Sequence, residues 1–352
     1  MLIVVTMAEV ARTAGVSTST VSHVLNGTRR VLPDTEAAVR AAIESTGYIH
    51  DTIARSMVTG GTMTVGVAMS AISNPYFADV LQAIEHALAL AGYSLLLVDT
   101  HDDSYTERQA VESLLSRRAD ALILAPSSDP SPALTRAARA KVPVVLIDRV
   151  IDADLDQVGC SNTAPTAHLV DHLAGHGHTR IAMIAGRRGL ATTEERIAGY
   201  KRGLRRHGLR FDPAILVVGG GSDGDAERAV RELLELKHRP SAMIVGNNLM
   251  TVGAMRGLRA AGVEVPRDLA LVAFDDFPWA DLFHPRLTTM AQPTRQLGER
   301  AVAMLLERLA DPERPVRKVR LKPTFVQRES CGCATIVVGA ALANAESRDG
   351  VA

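Results

Sequence analysis

Carboxylates, an amide and a guanidinium stand at the ends of short apolar runs in this chain. Asp148 closes one run, Asn247 and Asp275 follow two later ones, and Arg196 begins a helical stretch. Tyr76 and Phe77 open the helical segment after the first run. Acceptors and donors that work in pairs, with aromatic faces beside them, are what a polyhydroxylated small molecule requires. Any one of these groups alone serves equally well as a cap or an ion pair, so the reading rests on the set.

Other patterns suggest chemistry that the rest of the chain does not support. Residues 219–224, Gly-Gly-Gly-Ser-Asp-Gly, satisfy both GxGxxG and GxSxG between a strand and a helix. Glycine runs in such turns match often, and no acid is clearly placed for a ribose. Neither a dehydrogenase nor a hydrolase is expected, and no catalytic residue or cofactor is assigned. His168, His172 and His176 recur at i, i+4 and i+8, with His178 close behind. No carboxylate or Cys completes a ligand set, so these read as surface imidazoles. Cys331-Gly332-Cys333 lacks a second pair and reads as an exposed, oxidisable tail. No metal site is expected.

The elements that must position these residues fall into two textures. From residue 63 onward, apolar runs at 65–69, 94–98, 121–125, 143–147, 181–184, 215–218, 242–245 and 269–274 alternate with amphipathic segments, the pattern of βα units around parallel sheets. So many strands exceed one ordinary doubly wound sheet. A turn-rich stretch at 151–165 near the middle divides them into two α/β lobes with a cleft between. A further run at 287–291, a helix at 294–309 and an alternating stretch at 316–326 follow, and this segment can cross back to the first lobe.

Before residue 63 the pattern is helical. Thr6-Met7-Ala8-Glu9 fits a capping box, so a helix starts at Met7. Gly15 supplies a positive-φ turn, Ser17 caps a second helix ending at Asn26-Gly27, and a third, 34–47, carries its own cap. Ala11, Val16, Val21 and Val24 close a small core, leaving Thr18, Ser19, Ser22 and His23 outside as short polar groups suited to base edges. Arg12, Arg29, Arg30, Arg40 and Arg55 balance Glu9, Asp34, Glu36, Glu44 and Asp51. Phosphate contacts must therefore lean on hydroxyls and helix N-terminal amides as well as on Arg29 and Arg30.

With 352 residues, 47% of them hydrophobic, and Lys+Arg equal to Asp+Glu at 39 each, the chain reads as a folded protein of two or three domains. Its overall charge selects no partner. Three Cys suit a reducing compartment. The apolar start, 1–5, is too short for a signal-peptide core, and no run approaches the roughly 20 apolar residues of a membrane span. A cytoplasmic protein is expected.

The ordered words Thr6-Met7-Ala8-Glu9-Val10-Ala11, Ala14-Gly15-Val16-Ser17, Thr20-Val21-Ser22 and Val24-Leu25-Asn26-Gly27 closely resemble the headpiece of the lac repressor family of transcription regulators. The resemblance continues through Asn74-Pro75-Tyr76-Phe77, Ile147-Asp148-Arg149, Arg196-Ile197-Ala198-Gly199-Tyr200, Phe274-Asp275-Asp276 and Leu287-Thr288-Thr289, to about Glu329. It implies a helix-turn-helix headpiece on a two-lobed core like that of periplasmic binding proteins. It also implies a homodimer on near-palindromic double-stranded operator DNA, controlled by a small effector, a sugar or nucleoside-like molecule.

Carried over by position, Thr18, Ser19 and His23 face bases, while Thr6, Ser17, Thr20 and Asn26 hold the backbone; Ser22 on the same outer face and Arg29 complete the expected DNA-binding set. Arg is usual at position 23, and His23 offers one fewer donor unless protonated, which predicts an altered operator preference. The hinge would place Arg55 at phosphate and Met57 as a minor-groove wedge. Effector contacts fall on Tyr76, Phe77, Asp148, Thr192, Arg196, Asp223, Asn247 and Asp275. The implied domains are a headpiece at 1–50, a hinge at 51–62, a first lobe at 63–160 and 290–322, a second lobe at 161–289 and 323–333, and a loose tail at 334–352. The rival functions are a free sugar-binding protein and an enzyme using the cleft.

Overall fold

The computed structural model describes residues 5–26, 29–48, 61–70 and 74–333. The expected hinge contacts Arg55 and Met57 and the tail 334–352 lie outside the described residues, as does the side chain of Asn26. The chain divides into two compact units, residues 1–62 and 63–352.

The first unit holds three helices among its described residues: α1 (Met7–Ala14), α2 (Thr18–Asn26) and α3 (Pro33–Thr46). The capping box at the start of α1 is present in both halves, Glu9 N donating to Thr6 Oγ1 and Thr6 N to Glu9 Oε2. Gly15, at φ 66°, ends α1 in the left-handed conformation that an L side chain resists. Ser17 Oγ accepts from Thr20 N, which starts α2. Val10, Ala11, Val21, Val39 and Ala42 form the buried core, with Val16 and Val24 packed at its edge. The third helix departs from expectation. It begins at Pro33 without a side-chain cap, because the proline ring presets φ and removes an amide that would have needed a partner. Thr6→Ala is expected to cost about 1 kcal/mol of headpiece stability, read as faster hydrogen exchange across α1.

The second unit contains two sheets of six strands each among the described residues. The first lobe runs β1 (Thr64–Met69), α4 (Pro75–Leu90), β2 (Ser94–Asp99), α5 (Ser104–Ser116), β3 (Ala121–Leu124), α6 (Ser131–Arg139), β4 (Val144–Asp148) and β5 (Asp156–Cys160). The second runs α7 (Thr163–Gly175), β6 (Ile181–Ala185), α8 (Ala191–Arg206), β7 (Leu216–Val218), α9 (Asp223–Glu235), β8 (Ala242–Val245), α10 (Asn248–Ala260), β9 (Ala270–Phe274) and β10 (Thr288–Ala291). The chain then returns through α11 (Thr294–Ala310) and β11 (Lys318–Leu321), and the last element among the described residues is β12 (Thr324–Val326).

The sheet orders are β11-β5-β4-β3-β1-β2 and β12-β10-β9-β8-β6-β7, so the lobes repeat one plan. Only the outer strands differ: β11 pairs parallel to β5, whereas β12 pairs antiparallel to β10. Both faces of each sheet are covered by helices, which is why central strands such as β3, β4, β6, β8 and β9 are apolar nearly throughout rather than alternating.

Two sequence expectations are corrected. The stretch 151–165 contains a buried strand, β5, and is not merely turn. The first lobe does not resume at 290, because β10 continues to Ala291 in the second sheet.

Candidate functional site

The lobes' shared plan puts β4 and β9 in equivalent positions, and each delivers an aspartate at its carboxyl end. Asp148 and Asp275 both adopt positive φ, 69° and 72°. Non-glycine residues are held there only when their surroundings impose it, a form of local strain concentrated at functional sites. The two carboxylates are buried and line the same cavity between the lobes, with a volume of about 270 Å³. Crevices beyond the carboxyl ends of parallel strands are where such folds take their ligands.

On the first lobe's side, Asn74 caps α4 by accepting from Tyr76 N, which places Tyr76 and Phe77 in the opening turn. Their rings meet edge to face, with centroids 5.0 Å apart. Tyr76 Oη donates to Asp148 Oδ1 at 2.6 Å. Burial, followed by the Asp148 charge, pushes the Tyr76 phenol well above its usual range, so it remains a donor. Arg149 donates to Asp102 Oδ1 at 2.6 Å and to the Pro126 carbonyl at 2.9 Å.

On the second lobe's side, Arg196 projects from the first turns of α8. Its Nε donates to Asn162 Oδ1 at 2.9 Å, its Nη1 to the Gly246 carbonyl, and its Nη2 lies 3.9 Å from Asp275 Oδ1. The guanidinium stacks over Phe274, 3.8 Å from the ring centroid. Gln292 donates to Asp275 Oδ1 at 2.7 Å. Burial raises the Asp275 carboxyl above its ordinary value, while Arg196 and the Gln292 hydrogen bond oppose the rise. Asn247 caps α10 by accepting from Met250 N and reaches the Gly221 carbonyl through Nδ2. Aspartates, guanidinium groups, amides and two aromatic rings around one small volume can accept from and donate to several hydroxyls at once.

Of the expected effector residues, Tyr76, Phe77, Asp148, Thr192, Arg196, Asn247 and Asp275 line this cavity. Asp223 does not. It occupies the first position of α9 and turns to Arg256 at 2.7 Å, because Ser222 takes the cap. The backbone just before it, Gly220 to Ser222, lines the cavity instead. Asp102, Arg149, Arg187 and Gln292 also line it and were missed. The Asp148-Arg149 pairing was the available signal for Arg149. Arg187 donates to the Asp102 carbonyl and so joins the lobes at the rim. Trp279 is 41% exposed against Phe277 and is absent from the lining.

In the headpiece, Thr18 and Ser19 are exposed at the first turn of α2, while Ser22 and His23 are half-buried. Ser17 and Thr20 share a hydroxyl contact of 2.9 Å beside them, and Arg29 is exposed beyond α2. Thr6 spends its oxygen as a cap acceptor and keeps a hydroxyl proton to donate.

A family model described as bacterial regulatory proteins, lacI family, matches residues 6–51, and one for a periplasmic binding protein-like domain matches 170–331. Over 327 residues the chain is 34% identical to the ribose operon repressor of Escherichia coli (strain K12), covering 92% of this chain and 99% of that one. The chain belongs to the lacI family. Another relative is the HTH-type transcriptional repressor PurR of Aliivibrio fischeri (strain MJ11), 32% identical over 92% of this chain and 98% of that one. The lac repressor dimer solved with operator and the anti-inducer ONPF superposes with a TM-score of 0.83 at 28% identity, covering 93% of this chain and 99% of that one. This lacI-family member is a DNA-binding transcriptional repressor controlled by a small effector.

Proposed function

We propose that the protein acts in the cytoplasm as a homodimer that places two copies of α2 in successive major grooves of a near-palindromic operator. The effector is a polyhydroxylated molecule of the sugar class, bound between the lobes, and the cleft performs no catalysis on it. The observation that carries this reading is the pair of strand-end aspartates, Asp148 and Asp275, brought to one cavity with Arg196 and Tyr76. A ligand that hydrogen-bonds both carboxylates favours one lobe arrangement over the other, and operator affinity follows that population.

Thr18, Ser19, Ser22 and His23 read base edges in this account, while Thr6, Ser17, Thr20, Asn26, Arg29, Arg55 and Met57 engage the backbone and minor groove. The headpiece lacks net positive charge, so sequence-independent binding is modest.

The test is a gel shift on the DNA upstream of the protein's own gene, with a panel of sugars and nucleosides. A retarded probe whose midpoint moves by at least about tenfold, or 1.4 kcal/mol, with one sugar is expected. A probe left unshifted under every condition, or a ligand consumed during incubation, overturns the proposal.

A further inference from the structure

Outside the cleft, the second lobe gathers four soft donors. His172 and His176 lie one turn apart, at the end of α7 and at its C-cap. Cys331 and Cys333 follow β12 and fold back onto them. Cys331 is buried and Cys333 half-buried, so the expected exposed tail is corrected. Cys333 Sγ lies 3.1 Å from both His172 Nε2 and His176 Nε2, and 2.8 Å from Cys331 Sγ. The ligand atoms of His172, Cys331 and Cys333 lie within 4.8 Å of one another. The expectation that no Cys would complete the histidine stripe fails because its partners come from the far end of the chain. His168, one turn earlier, packs on Phe325 instead.

We propose that Cys331, Cys333, His172 and His176 form a tetrahedral binding site for a thiolate-preferring divalent metal of the zinc type. Tetrahedral bonds of about 2.3 Å to sulfur and 2.0 Å to nitrogen give donor separations of roughly 3.3 to 3.8 Å. Cys333's three distances reach that range if it moves outward by under about 1 Å, and His176, which stands outside the group of donors within 4.8 Å, must swing its ring inward to become the fourth. The surrounding groups suit the role. His176 Nδ1 lies 2.7 Å from the His172 carbonyl, a bond that puts the ring proton there and leaves Nε2 as a lone-pair donor. Thr288 Oγ1 donates to Cys331 Sγ at 3.3 Å, which fixes the sulfur's position. Two thiolates and two neutral imidazoles cancel a divalent charge, so the complex is neutral in an apolar setting of Phe325, Leu173 and Met290. Binding releases the thiol protons and forms only coordinate bonds. The metal would fasten the chain after β12 to α7, within one lobe and away from the effector cavity.

The experiment titrates Co(II), then Zn(II), into the reduced, chelator-stripped full-length chain. One Co(II) per chain is expected, with the visible ligand-field bands and near-ultraviolet charge transfer of tetrahedral thiolate coordination, both displaced by Zn(II). Cys333→Ser should abolish the charge-transfer band and weaken Zn(II) by more than the roughly 10- to 100-fold typical of second-shell changes. His176→Gln, at an exposed position where folding is not at issue, should keep the thiolate bands with weaker affinity. Zn(II) should raise the melting temperature of wild type and not of Cys333→Ser. Octahedral cobalt spectra, equal binding by Cys333→Ser, or a Cys331–Cys333 disulfide that survives mild reduction would each overturn the site. Operator binding and sugar response are separate readouts, so failure here leaves the proposed function standing.

Discussion

Arg196→Ala is expected to eliminate effector binding and to destabilise the second lobe by about 3 kcal/mol, the scale for breaking a buried charged pair. One guanidinium satisfies Asn162 and the Gly246 carbonyl, faces Asp275 and stacks on Phe274. Alanine leaves Asp275 buried without its main compensating charge. Arg196→Lys keeps the charge and loses the fork, so it should recover stability better than binding.

The loss should depend on pH with a definite sign. The folded-state pKa of Asp275 is already raised by burial, and Arg196 is the largest influence opposing that rise. Removing it raises the value further. A carboxyl with a raised folded value contributes stability that is fully present below its unfolded value and is lost as pH rises through the folded one. The melting-temperature gap between variant and wild type should therefore widen as pH rises above the ordinary carboxylate range. In wild type, sugar affinity should fall as pH is lowered toward the raised Asp275 value, and Asp275→Asn should flatten that limb. A gap that narrows with pH, or a sugar-induced thermal shift retained in Arg196→Ala, would remove Arg196 from the site.

What was legible in the sequence was local. The Thr6-Glu9 capping box, the Gly15 turn and the apolar runs follow from short-range rules, and the strand-end aspartates from their place after those runs. The failures share a cause, in that a distant partner decides the outcome. Residues 156–160 look like loop because Asp156 and Gln157 are polar. They become a buried strand because Asp156 accepts from Arg308 and Arg314, and Gln157 bonds the backbone of Ile151 and Ala153. Asp223 comes from the resemblance by position alone, and the fold turns it to Arg256 while the backbone just before it, with Ser222 as the cap, lines the cavity. Cys331 and Cys333 meet histidines that lie nearly half the chain away, which no spacing rule reports.

Gly253→Ala should be among the most damaging single-methyl changes in the second lobe, although it adds only one carbon to a helix that alanine otherwise favours. A Cβ at Gly253 would stand 2.0 Å from the Asp223 carbonyl oxygen and 2.6 Å from its carbonyl carbon. The obstacle is backbone at the start of α9, so no rotamer change relieves it. α10 and α9 must separate, at a cost of about 3 kcal/mol, or roughly 10 °C in melting temperature for a lobe of this size. The displacement should also reach the cavity. Asn247, which caps α10, touches the Gly221 carbonyl just ahead of α9, so parting the helices pulls these lining groups apart. The sugar-induced thermal shift should shrink along with the baseline melting temperature. Gly224→Ala is the control. It lies in the first turn of α9, where an added Cβ meets nothing within 4 Å. It should be neutral or stabilise by about 0.5 kcal/mol through the unfolded chain's lost freedom. If both alanines melted alike, close approach of the two helix backbones at Gly253 would not be what holds the wall of the cleft in place.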